Sequence, residues 1–336
     1  MLVNKSHKKK LYIGIELLRI FFSFNIVLFH CMNKQIYSNK FININRCIVS
    51  IGLKVFFILA FYFSYNSFSQ KKIMLIKQRF QRLLIPYIIW PIIFYIHKNN
   101  FFYLFLYKNK NKLKKLYYQI IIGYGIYTVF WFSYNLMFIS LLLTIIIFST
   151  KKNIVIIIVS GIFIYFFSHS SIYDKIFLNY KKIVVFSNKP LASTYILSTI
   201  GFYLSSIKFI EKANENKKYY IIFYSTLLIL LSLYYKIIKK FGFLSYFFSV
   251  YLIILFSILP FHKLIFANII KHIGSYTGGI YYIHNYVNFI VKKFFFKYNL
   301  IRGTIINICI NYLICYIICF IGFNIFKKKK LKSLFI

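Results

Sequence analysis

Acidic side chains are nearly missing: Glu16, Asp174, Glu211 and Glu215 stand against 44 Lys and Arg in 336 residues, a net charge of +40. In a soluble protein that imbalance would point to nucleic acid. A soluble module is also missing, and no basic, aromatic-interleaved domain exists to bind a polynucleotide, so nucleic acid is excluded as a partner. The basic residues instead lie in loops, where they face anionic headgroups. Glycine (12), proline (4) and alanine are scarce while Lys, Asn, Ile, Phe and Tyr are over-used throughout, as in an adenine- and thymine-rich coding sequence. The five cysteines, Cys31, Cys47, Cys309, Cys315 and Cys319, form no CxxC and have no ligand-spaced His, which removes both a disulfide framework and a metal site. No internal repeat or low-complexity linker is present.

What is abundant is apolar. Sixty per cent of residues are hydrophobic, 23% aromatic, and the mean hydropathy is +0.69. Runs of about 18 apolar residues recur from end to end, and nothing between them can bury a core of its own. The expectation is an all-α, polytopic transmembrane bundle of about ten spans forming a single integral-membrane domain over residues 1–336.

The stretch Leu11 to His30, LYIGIELLRIFFSFNIVLFH, is long and apolar enough to insert, yet it carries Glu16, Arg19 and His30. An Arg at a helix centre costs about 2.5–3.5 kcal/mol on insertion scales, and an intramembrane charge calls for a named partner. Glu16, three residues away, is a helical neighbour of Arg19 and neutralises it. Eleven residues separate Arg19 from His30, which at about 100° per residue brings them to within roughly 20° of one face, about 16 Å apart along the axis. A polar seam that only holds helices together would look similar. The opening MLVNKSHKKK imitates a signal peptide, but Glu16 and Arg19 interrupt its apolar region and no small-residue cleavage site follows, so a retained first span is expected.

A polar outer loop, NKQIYSNKFININR, precedes a second span from about Cys47 to Phe68. The basic loop QKKIMLIKQRFQRLL then leads into a helix with Pro86 just inside it and Pro91 as a kink. Between His97 and about Thr128, two apolar patches split by KNKNKLKK favour an interfacial hairpin over an extra span. Further spans are expected from Val129, from Asn153, and at about 191–207, 219–235, 243–260, 274–291 and 304–326. Basic termini, HKKK and KKKKLK, agree with both ends in the cytoplasm.

Four motifs in order resemble the acyltransferase-three family of multi-spanning membrane O-acyltransferases that modify surface sugars. They are Glu16, Arg19 and His30 in the first span; Arg79-Phe-Gln-Arg82 followed by LLIPYIIW; the aromatic start Trp131-Phe132 of a later span; and GSYTGGIYYIHNYV, Gly274 to Val287, with His284. The second span departs from the family's FFxLSGF, reading FFILAFY, with Ala60 and Phe61 in place of Ser and Gly; Phe61 does not permit the close approach that Gly does.

The resemblance implies transfer of an acyl group, acetyl by expectation, from acyl-coenzyme A to a hydroxyl of an exported polysaccharide, lipopolysaccharide O-antigen or lipid-linked precursor. The implied location is a bacterial inner membrane, with acyl-CoA as donor substrate, no permanently bound cofactor and no metal. His30 would be the base, toward the outer leaflet, and Glu16 would hold Arg19 to position the thioester or its oxyanion. Arg79 and Arg82, three apart, would grip the donor's phosphates by bidentate hydrogen bonds; ordinary positive-inside anchoring would place such arginines there too. Trp131 and His284 are secondary candidates.

Other readings stay open. His169-SSIY-Asp174 fits the His-x4-Asp of glycerolipid acyltransferases, but that family's later glycine-rich and acidic motif is absent. His97, His262 and His272 read as headgroup-level residues and His7 belongs to a basic tail. A polysaccharide polymerase or flippase would have a similar number of spans but no reason to carry Arg19/His30 and Arg79/Arg82 in this order; a transporter is a further alternative.

Overall fold

Inside hydrocarbon an apolar run can satisfy its backbone polar groups only internally, and a helix does so within one segment. The computed structural model describes residues 3–32, 37–70, 73–98, 131–149, 153–169, 189–215, 244–259, 261–295 and 304–326, and among them every regular element is helical. In chain order these are α1 (Val3–Cys31), α2 (Asn39–Ser69), α3 (Ile73–Lys98), α4 (Trp131–Ser149), α5 (Asn153–His169), α6 (Lys189–Ser206), α7 (Phe209–Glu215), α8 (Leu244–Ile258), α9 (Ala267–Ser275), α10 (Thr277–Phe295) and α11 (Ile305–Phe326), with a 3-10 turn at Phe261–Lys263. Among the described residues, Ile13–Cys31, Asn39–Ser69, Trp131–Phe148 and Ile305–Phe326 are long and apolar enough to cross a membrane. The chain is a membrane protein. The region expected as a hairpin, from residue 99 onward, the 219–235 run, Asp174 and the C-terminal lysines lie outside the described residues.

Three boundaries differ from the sequence reading. The second helix begins at Asn39, inside the expected outer loop, because the Ser38 hydroxyl caps it by accepting the Phe41 N–H at 3.3 Å. The basic stretch before Pro86 is itself helix from Ile73, earlier than expected, and Arg79 and Arg82 sit three apart on that helix, α3, as their spacing predicts. Pro86 and Pro91 are therefore interior, and since neither has an N–H, the carbonyls of Arg82 and Tyr87 one turn earlier lose their helical donors. Finally, the segment expected as a span from Gly274 breaks at Tyr276, where α9 ends, and Thr277 opens α10 with its hydroxyl donating to the Gly274 carbonyl at 2.9 Å.

The described residues divide into two compact units, one made of those up to Leu59 with those from Leu204 to Ile325, the other of those from Ala60 to Tyr203. In the first, α1 is the hub and packs against α8, α9, α10 and the 3-10 turn. Gly14 makes this possible: its α-carbon lies against the Phe256 backbone carbonyl, and any side chain there would strike it. Gly52 does the same for α2, where a β-carbon would come 2.5 Å from the Phe22 ring. In the second unit α3 packs on α4, and Gly161 of α5 lies close to Thr199 of α6, beside a 2.8 Å hydrogen bond between the Ser160 and Tyr195 hydroxyls.

Hydroxyls within the apolar segments bond locally. Ser64, Thr144, Ser198, Thr199, Ser249 and Ser257 each donate to a carbonyl three or four residues back in their own helix. Such back-bonding hides a donor where no water is available to receive it.

Candidate functional site

The first unit holds Glu16, Arg19, His30 and His284. On α1 the Arg19 guanidinium donates from Nη1 to both Glu16 oxygens, at 3.0 and 2.9 Å, so the pair that the spacing predicts is made. Both side chains are partly buried, 27% and 18% exposed, so the charges are neither lost in bulk solvent nor sealed in the core. One turn on, the Ser23 hydroxyl is 2.8 Å from that of Tyr312 on α11 while also donating to the Ile20 carbonyl, which sends the shared proton from Tyr312 to Ser23.

Glu16 is seated by a residue far away in sequence. Gly274, at the end of α9, is buried with its α-carbon against the Glu16 side chain; a β-carbon there would sit 2.7 Å from Glu16 Cβ and strike Oε2. The glycine of the GSYTGG segment is thus what lets a carboxylate stand between two packed helices.

At the other end of α1, His30 lies in the last turn, partly exposed. Its ring centroid is 5.0 Å from that of His284 on α10, with the planes tilted by 44°. His284 is fully buried. Its Nδ1 is 2.7 Å from the Tyr281 carbonyl, and a carbonyl only accepts, so Nδ1 carries the proton and Nε2 presents a lone pair. Asn288, one turn further, donates from Nδ2 to the His30 backbone carbonyl at 3.1 Å, tying α10 to the end of α1.

The second unit holds Arg79, Arg82 and Trp131. Arg79 turns inward: Nη1 donates to the Ala60 carbonyl at 3.0 Å, Nε to the Ser140 hydroxyl at 3.3 Å, and the guanidinium carbon lies 5.0 Å from the Phe61 ring centroid. Its Nη2 is buried and has no partner among the described residues. Arg82 is exposed, with one long bond of 3.4 Å from Nε to the Gln78 carbonyl. The two guanidiniums therefore meet different surroundings, one a protein cradle and the other open. Trp131 starts α4, edge-on to Phe132.

Of the other histidines, His272 is bonded through Nδ1 to the Tyr316 hydroxyl at 2.9 Å within a ring cluster of Tyr276, Tyr316 and Phe320. The side chains of His7, His97, His169 and His262 lie outside the described residues. Among the described residues no group of three or more His, Cys, Asp or Glu could hold a metal ion.

Sequence reasoning passed over Asn288 and Gly274, whose importance appears only once α9 and α10 are brought to α1. It also passed over Lys54, a cation within the second span, which donates to Ser50 at 3.0 Å and lies 5.4 Å from the Tyr246 ring centroid. A lone Lys in an apolar run was signal enough to find it.

A family model described as an acyltransferase domain matches residues 12–325, which takes in both units. No curated protein and no solved structure matches the chain.

Proposed function

Since the chain belongs to the acyltransferase-three family and is a membrane acyltransferase, we propose that it moves an acetyl group from acetyl-coenzyme A to a hydroxyl of a cell-surface polysaccharide or its lipid-linked precursor. The reading includes a bacterial inner membrane, about ten spans and both termini in the cytoplasm. Support for it comes from one observation above the rest: a single helix, α1, carries the Glu16–Arg19 ion pair within an apolar bundle and ends in a partly exposed imidazole, His30, beside a second one.

In this mechanism neutral His30 accepts the proton of the sugar hydroxyl as the oxygen forms its bond to the thioester carbonyl carbon. Charge gathers on the carbonyl oxygen, and Arg19, held by Glu16, stabilises it or positions the thioester. The carbon–sulfur bond then breaks, the coenzyme A thiolate leaves, and His30 returns the proton to sulfur. Arg82 is open to a phosphate of the donor, and Arg79 offers an Nη2 that has no partner among the described residues beside its protein contacts. Trp131 remains a secondary candidate.

The test is acetyl-coenzyme A-dependent labelling of glycan in membranes, wild type beside His30→Ala. Alkali-labile label in the wild type and none in the variant is the expected result. Retained labelling by His30→Ala refutes the base assignment. A host glycan that loses chain length rather than ester groups when the chain is deleted refutes the acyl-transfer reading in favour of a polymerase.

A further inference from the structure

Beside His30, two polar atoms of α10 are buried without a partner among the described residues: Nε2 of His284 and Oδ1 of Asn288. Their identities are fixed by what their other ends do. His284 must keep its proton on Nδ1 to bond the Tyr281 carbonyl, and Asn288 must turn its amide nitrogen to the His30 carbonyl. Both orphans are therefore acceptors and neither can donate. They lie four residues apart on one helix face, about 5–6 Å between β-carbons, on side chains that are 0% and 5% exposed.

A buried acceptor with no donor costs about 1–3 kcal/mol, and two on one face next to a candidate base call for a ligand rather than for packing. We propose that His284 Nε2 and Asn288 Oδ1 form the subsite that receives the hydroxyl hydrogens of the acceptor sugar, holding the group next to the one that reacts. The ligand class follows from the chemistry: two neutral acceptors recognise a polyol, which brings two donors, and discriminate against ethers, esters and anions, which bring none. An ester already in place at either hydroxyl would remove a donor, so the subsite favours unmodified sugar. His284 and Asn288 are positioning residues here, and the inference rests on the acyl-transfer reading above.

Two substitutions at one position separate this role from a structural one. In His284→Asn the shorter amide can still reach the Tyr281 carbonyl but has nothing at the Nε2 position; in His284→Gln the amide oxygen can occupy the Nε2 position but the tether is lost. Full-length protein in membranes is assayed with labelled acetyl-coenzyme A and with host surface polysaccharide stripped of esters by mild alkali. His284→Asn should raise KM for the polysaccharide about tenfold, the equivalent of one lost hydrogen bond, with KM for acetyl-coenzyme A within about twofold, and His284→Gln should retain most of the affinity. Asn288→Ala should raise the same KM and lower kcat besides, because it also unties α10 from the His30 carbonyl.

The inference is overturned if His284→Asn matches wild type, if both KM values rise together, or if Asn is the better replacement. A fall in melting temperature with both KM values unchanged would assign the two acceptors to a buried water instead. Absence of labelled polysaccharide in the wild type strikes the acyl-transfer reading itself, a result distinct from all of these.

Discussion

Gly274 and Glu16, 258 positions apart in the chain, touch so closely that a β-carbon on the first would come 2.7 Å from that of the second. The contact joins the α9 end of the GSYTGG segment to the charged level of α1, and it sets the direction in which the Glu16 carboxylate reaches Arg19.

Gly274→Ala should therefore be destabilising by about 1–3 kcal/mol, the range for forcing a methyl group into filled space. A melting curve in detergent checks this. Glu16→Ala, which unpairs Arg19 but clears the carboxylate from the space the methyl needs, should cost less in this background than in the wild type, and a Gly274→Ala variant that melts like wild type would show that α9 yields freely.

Glu16→Gln leaves the Arg19 guanidinium partly buried and without its counter-charge. We expect a loss of about 1–3 kcal/mol, less than for a sealed pair because both groups retain some exposure. The double variant Glu16→Gln, Arg19→Gln should regain the wild-type level in the membrane fraction yet remain inactive in glycan labelling. Activity in the double variant would confine the pair to a packing role.

The two arginines of α3 should respond differently to substitution. Arg79→Lys cannot keep both hydrogen bonds and the ring contact, and should lower stability by about 1.5–3 kcal/mol. Arg82→Ala removes an exposed side chain, so stability should change by no more than about 0.5 kcal/mol. Its KM for acetyl-coenzyme A should rise about tenfold, the loss of one phosphate contact. Equal KM effects from the two positions would contradict this division.

Phe61→Leu keeps an apolar side chain but removes the π face under Arg79, at an expected cost of about 0.5–2 kcal/mol. Combined with Arg79→Lys, the losses should be less than additive, since both substitutions break one contact. Strict additivity in a double-mutant cycle would deny the cation–π interaction.

Legibility of this chain from its sequence follows the range of the interactions. Membrane helices were readable because apolar length alone decides them, and the Glu16–Arg19 pair because residues three apart on one helix must meet. Boundaries were less so: the Ser38 cap that starts α2 early, and the continuation of α3 through a basic stretch, turn on single local bonds that compete with charge and polarity. The side chains brought to His30 were not readable at all. His284 attracted notice only through a motif, and Asn288 through nothing, because no periodicity within α10 says which part of α1 it will pack against. Phe61 is the instructive departure. Read as an obstacle to close packing, it is fully buried and serves as the platform for Arg79.

The arrangement of α1 also bears on how the chain is made. Its seats, Phe256 for Gly14 and Gly274 for Glu16, leave the ribosome more than two hundred residues after α1 itself, and synthesis at about 5–20 residues per second makes that a delay of ten seconds or more. During that wait the first helix must reside in lipid without those two seats. An ion pair closed within a single turn allows it to do so, because Arg19 brings its own counter-charge through the translocon instead of waiting for one to arrive.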